Sequence, residues 1–132
     1  MRVYLAGAIE LVGQDYARTW RQQAVRDADY FDNLICVDPM DYEPPEGPYL
    51  DEQIVNTDKA LLTACDAVLL DGRQPGWGSG FELAIAYAQS LPVIVWGIAR
   101  DDASIWLRHH ATSFHDTLGE AIEQLYALSG AL

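Results

Sequence analysis

Lysine is almost missing from this sequence: Lys59 is the only one, and lysine and arginine together number 8 against 20 acids, leaving a formal net charge of −12. So negative a surface repels phosphate backbones, which argues against nucleic acid as a partner and is otherwise compatible with a merely soluble protein. Cysteine is scarce too, with two in the chain. Cys36 and Cys65 lie in the apolar runs LICV and LLTACDAVLL, where thiols act as small hydrophobes, so no disulfide framework is expected and the compartment reads as reducing. No apolar run approaches the roughly 20 residues of a membrane span, and the opening MRVYLAGAIE carries no signal-type basic and apolar pattern. A cytoplasmic protein with no membrane partner is expected. Three histidines, His109, His110 and His115, have neither HxxxH spacing nor a nearby cysteine, so no metal and no cofactor are implied.

What is abundant is hydrophobic residues, half of the 132. That suffices for one core without staples, and the expectation is a single domain over residues 1–132. Arg2 to Ala6 reads as a buried strand ending at Gly7. Asp15 to Asp29 carries Tyr16, Trp20, Ala24, Val25 and Ala28 at helical spacing. Leu34 to Val37 is a second strand, stopped by Asp38 and Pro39. The following MDYEPPEGPYLDEQ holds too many prolines and acids for regular structure, and its length marks it as functional or disordered. A helix from about Leu50 to Ala64 leads into the apolar strand Ala67 to Leu70. GRQPGWGSG turns into a helix, FELAIAYAQS. Pro92 to Trp96 and Thr112 to Phe114 complete the strands, and a last helix spans Thr117 to Leu128, capped by Asp116 or Thr117. Apolar strands alternating with helices predict an α/β fold with a parallel sheet covered on both faces, a Rossmann-like or flavodoxin-like three-layer sandwich.

In such a sheet, ligands bind beyond the carboxyl ends of the strands. Gly7 to Ile9, Asp38 to Met40, Asp71 to Glu82 and the residues from Gly97 onward all emerge there. The segment PGWGSGFE, ending at Glu82, packs glycines against a helix start with one carboxylate in its first turn. Glu82 then either complements the helix dipole or aims into the crevice as nucleophile or base. A second acid, Asp58 in IVNTDKALLTACD, sits upstream of the same crevice. Asn56 and Asp58 each have an ordinary solvent-exposed reading; together with Glu82, Asp58 forms the carboxylate pair that glycosidic cleavage uses. Trp77 and Trp96 flank the expected crevice, either stacking on a ligand ring or simply filling core.

These residues in this order resemble the nucleoside 2-deoxyribosyltransferases and their relatives that hydrolyse deoxynucleoside monophosphates. The resemblance covers most of the chain. It rests on VYLAGAI at the start, on the NxD of Asn56 and Asp58 followed by CDAV, on GWGSGFELAIAYA, and on PVIVW. It implies Glu82 as nucleophile and Asp58 as the acid that orients it or assists the leaving base, with Tyr4 and Gly7 at the pocket floor. Gly76, Trp77 and Gly78 would line the substrate site with Asn56. Six residues before Glu82 the transferases carry an aspartate and the monophosphate hydrolases a serine; here it is Gly76, so the transferase and hydrolase options stay open.

The family also completes its sugar site with a residue near the carboxy terminus of a neighbouring subunit. Arg108 to Asp116 contains no clear counterpart. A homodimer or higher homo-oligomer is still expected, with Trp106, Leu107 and Tyr87 on segments able to face outward. The segment Asp41 to Glu52 is expected to act as a lid. The competing functions are a lysine-decarboxylase-like phosphoribohydrolase, whose PGGxGTxxE motif is one residue longer than PGWGSGFE, and a non-catalytic nucleotide-sensing domain on the same fold.

Overall fold

The computed structural model describes residues 1–42 and 50–130. Five strands, β1 (Arg2–Ala6), β2 (Ile35–Val37), β3 (Ala67–Asp71), β4 (Val93–Trp96) and β5 (Ser113–His115), form one sheet in the order β2-β1-β3-β4-β5, every neighbouring pair parallel. The α/β parallel-sheet expectation is therefore met, and the strand order is that of flavodoxin-like folds. Among the described residues five α-helices accompany the sheet: α1 (Gln14–Ala28), α2 (Leu50–Thr63), α3 (Trp77–Ala88), α4 (Ile105–His110) and α5 (Leu118–Ser129). No helix among the described residues is long and apolar enough to cross a membrane.

Alternation along the strands assigns the two layers. Val3, Leu5, Leu69 and Ile94 pack with Trp20 and Ala24 of α1 and Ile122 and Leu125 of α5. Tyr4, Ala6, Val68, Leu70, Val93 and Val95 turn the other way, onto Leu62 of α2 and Leu83 and Ala86 of α3. Both faces being covered, these strands do not alternate: Val3 to Ala6, Ala67 to Leu70 and Val93 to Trp96 are continuous apolar runs. Truncating a wholly buried residue such as Leu5 or Leu69 to alanine costs about 2–5 kcal/mol.

Several boundaries differ from expectation. α3 begins at Trp77 rather than at Phe81, with Gly76 as its N-cap and the Gly80 amide already donating to the Gly76 carbonyl at 3.1 Å. Glu82 therefore stands in the second helical turn, the first turn holds no acid, and the dipole-complementing reading loses its basis. α4 was not anticipated; the Ser104 hydroxyl caps it by accepting from the Leu107 amide at 3.1 Å. At α5 the cap is Thr117, which accepts from the Glu120 amide. The two cysteines are free, Cys65 buried and Cys36 half-buried; burial pushes both thiols up, that of Cys36 to about 12. Of the expected lid, residues 43–49 lie outside the described residues; Asp41 and Tyr42 end a short 3-10 turn and Leu50 opens α2.

Candidate active site

The chain leaves β1 toward β2 on one side and reaches β3 on the other, so a topological switch point, where such sheets form a ligand crevice, lies between β1 and β3. Tyr4, opposite Val68 of β3, points into the α2/α3 layer. Its hydroxyl, on a residue with no exposed surface, donates to Oε2 of Glu82 on α3. The contact occupies one oxygen of the Glu82 carboxylate.

Burial is the main influence on Glu82, lifting its pKa to about 7. The Tyr4 hydrogen bond opposes that rise by stabilising the carboxylate, the charge of Asp58 adds to it, and the guanidinium of Arg21 opposes it. Asp58, partly buried on α2, is raised to about 6 by burial, again with Arg21 pulling down. Burial and the nearby carboxylates hold the Tyr4 hydroxyl neutral far above the usual phenol range, so Tyr4 acts as a donor and not as a base. The two carboxylates thus titrate as an interacting pair close to neutrality, an arrangement concentrated at functional sites.

Arg21 was not singled out in the sequence. It is wholly buried, donates through Nη1 to the Ala17 carbonyl at 2.8 Å and through Nη2 to the Gly7 carbonyl at 3.0 Å, and places Nε 3.7 Å from Oδ1 of Asp38. Burial works against its charge, and Asp38 foremost among the carboxylates supports it. A signal was present: Ala17, Trp20, Ala24 and Ala28 mark the buried stripe of α1, and Arg21 falls on that stripe, four residues after Ala17. A charge on a buried stripe needs partners, and here they include the backbone turn below the crevice.

The glycines define how close the walls come. A Cβ at Gly7 would lie 3.0 Å from Cζ2 of Trp20 and 3.2 Å from Cβ of Asp71, and one at Gly76 would lie 3.1 Å from Cα of Ala8. The loop after β1 therefore rests directly on the start of α3, and a side chain at position 76 would have to displace backbone. Gly78 has open space above it. Trp77 is 87% exposed, and Asn56 is exposed two residues from Asp58, about 200° around the same helix. Tyr4 and Glu82 are thus in direct contact, Asp58 acts on Glu82 through its charge, and Gly7 and Gly76 form the adjoining backbone. Asn56 and Trp77 are held by neither network. Trp96 does not flank this crevice: it belongs to the opposite layer, its ring centroid 5.8 Å from that of Trp20.

No group of three or more histidine, cysteine, aspartate or glutamate residues placed to hold a metal ion occurs among the described residues. The chemistry available to the site is that of a held, near-neutral carboxylate beside a second one: nucleophilic attack or proton transfer.

No protein-family model matches the sequence, and no curated protein does. Solved structures match in fold. A 2-deoxyribosyltransferase from Bacillus psychrosaccharolyticus superposes with a TM-score of 0.75 at 14% identity, over 98% of this chain and 96% of that one. A conserved protein from Enterococcus faecalis V583 gives 0.71 at 13% identity, over 97% and 98% of the two chains. This chain therefore has the fold of a 2-deoxyribosyltransferase along nearly its whole length.

Proposed function

We propose that this single-domain protein belongs with the nucleoside 2-deoxyribosyltransferases and breaks or exchanges the N-glycosidic bond of a 2-deoxynucleoside or its 5′-monophosphate, with Glu82 as covalent nucleophile. The observation that carries the reading is the Tyr4–Glu82 contact at the sheet's switch point, beside a second carboxyl of raised pKa. The fold shared with a transferase along nearly the whole chain supports it.

In this mechanism Tyr4 holds Oε2 while Oε1 attacks the anomeric carbon. The C–N bond breaks as positive charge builds on the sugar ring, and its electron pair leaves with the base, which takes a proton from the Asp58 carboxyl. Water or a second base, giving its proton to the Asp58 carboxylate, then attacks the anomeric carbon, and the C–O bond to Glu82 breaks to free the carboxylate. Catalysis needs Glu82 ionised and Asp58 protonated. Glu82 has the higher pKa of the two, about 7 against about 6, so near neutral pH the pair's shared proton sits mostly on Glu82 and the productive form is the minor one. The Tyr4 donor and the Arg21 charge both favour ionised Glu82.

The working unit in this reading is a homo-oligomer. Trp77 at 87%, Phe81 at 69% and Trp106 at 75% exposure put large apolar side chains of α3 and α4 in solvent, as surfaces made for a partner do. The test is incubation with deoxynucleosides and their monophosphates, with and without a second base, read by chromatography of released base. Release from at least one substrate, with Glu82→Ala silent, is the expected result. No release from any member returns the chain to the nucleotide-sensing alternative.

A further inference from the structure

On the other face of the sheet, away from Glu82, a depression of about 480 Å³ opens between the amino-terminal half of α1 and the start of α5. Its lining includes Tyr16, Trp20, Arg73, Trp96 and Leu118, with the exposed Asp15 and Thr19. The volume lies in the range of small-molecule sites, roughly 300–1,000 Å³. We propose that this depression is a second, non-catalytic binding site for a neutral planar heteroaromatic ring of nucleobase size.

The case rests on how Arg73 is held. Its Nε and Nη2 donate to the two oxygens of Asp71 at 3.0 and 2.9 Å, a bidentate pair on a carboxylate that is almost wholly buried. The guanidinium carbon stands 4.5 Å from the Tyr16 ring centre and 4.3 Å from that of Trp96, so the cation lies against two aromatic rings. Gly97, at φ +85, makes room for it, since a Cβ there would meet Cγ of Arg73 at 2.6 Å. A guanidinium held by a carboxylate and by two aromatic rings is ordered before any ligand arrives, so a flat ligand binding beside it has little side-chain ordering left to offset.

The electrostatics select the ligand's charge. Asp71 already neutralises Arg73, Asp15 adds a negative charge at the rim, and the whole chain carries −12. A free anion is therefore disfavoured, and so is a nucleotide with its phosphate. A neutral ring is not, because the Tyr16 hydroxyl and the indole N–H groups of Trp20 and Trp96 line the depression without a partner and can meet its acceptors, while Asp15 and Thr19 meet its donors.

Adenine is the probe, titrated into the protein labelled with nitrogen-15, reading the four indole N–H resonances after assignment by tryptophan-to-phenylalanine variants. Trp20 and Trp96 report the depression, and Trp77, exposed at the start of α3, lies outside it. Binding at about millimolar affinity should shift the Trp20 and Trp96 signals saturably, whatever happens at Trp77. Thr19→Phe, a change at an exposed helical position, should fill the edge and weaken that response about tenfold. Cyclohexanecarboxamide, similar in size but not aromatic, should give none. Unmoved Trp20 and Trp96 signals up to about 10 mM adenine overturn the site. Equal shifts with the carboxamide, or unchanged affinity in Thr19→Phe, overturn it as well.

Discussion

The hydroxyl of Tyr4, in the first strand, donates to Oε2 of Glu82, 78 residues further along the chain. This bond joins the sheet to the helix carrying the proposed nucleophile and opposes the effect of burial on the carboxyl. Tyr4→Phe removes the donor and little else. Glu82 should then ionise at higher pH, so the form with Glu82 ionised and Asp58 protonated becomes scarcer, the upper midpoint of the activity profile should move upward and turnover should fall by about 10- to 100-fold. A profile superimposable on the wild type would remove Tyr4 from the mechanism.

Glu82→Ala should abolish turnover while the fold persists. Glu82→Gln tests the linked stability. Folding raises the Glu82 pKa from 4.5 to about 7, so the folded state holds a proton that the unfolded chain releases. Stability from this group is therefore full below about pH 4.5, falls as pH rises to about 7, and stays low above that. At pH 8 the Gln variant should be more stable than wild type by on the order of 1–3 kcal/mol, a gain that vanishes near pH 4. Denaturant titrations at the two pH values measure it, and an equal difference at both would contradict a buried ionised carboxylate.

Asp58 should supply the basic limb of a bell-shaped rate profile whose apparent midpoints belong to the coupled pair near 6 and 7. Asp58→Asn keeps size and removes the proton, so turnover should drop by about 10²- to 10⁴-fold and the basic limb should disappear. Steady-state kinetics from pH 5 to 9 decide the matter; a retained bell would assign that limb to another group.

Arg21→Met should destabilise the protein by about 3–5 kcal/mol, because it leaves the buried Asp38 without its cation. Adding Asp38→Asn to it should restore part of the loss. Thermal melts of the single and double variants give the comparison, and strictly additive losses would show that the two residues do not act as a pair.

Trp106→Lys, on the exposed face of α4, should shift the chain toward monomer in light scattering at moderate salt. A monomer mass for the wild type at every dilution, with full activity, would exclude a shared site.

Much of the fold was legible because strands buried on two faces must be apolar at each position. RVYLA, AVLL and PVIVW announced β1, β3 and β4, and the helical spacing of Tyr16, Trp20, Ala24, Val25 and Ala28 announced α1. The start of α3 was not legible. Gly78 and Gly80 each cost a helix about 1 kcal/mol relative to alanine, so WGSG reads locally as a turn. Packing of Gly76 on Ala8 and burial of Ser79 within that first turn accompany helix where local preference argues against it.

The sequence by itself determined the alternation of elements, the parallel sheet it implies, and a short set of acids and glycines at its carboxyl edge. Those follow from local periodicity and from the requirement that apolar faces be covered. Only the tertiary structure decided that Tyr4 holds Glu82, that Arg21 is buried as the cation beneath them, and that Trp96 faces away from both. Each depends on which helices cover which face of the sheet. That choice arises from packing among residues tens of positions apart, where hydrogen bonds and charges are set by distance in space and not by spacing along the chain.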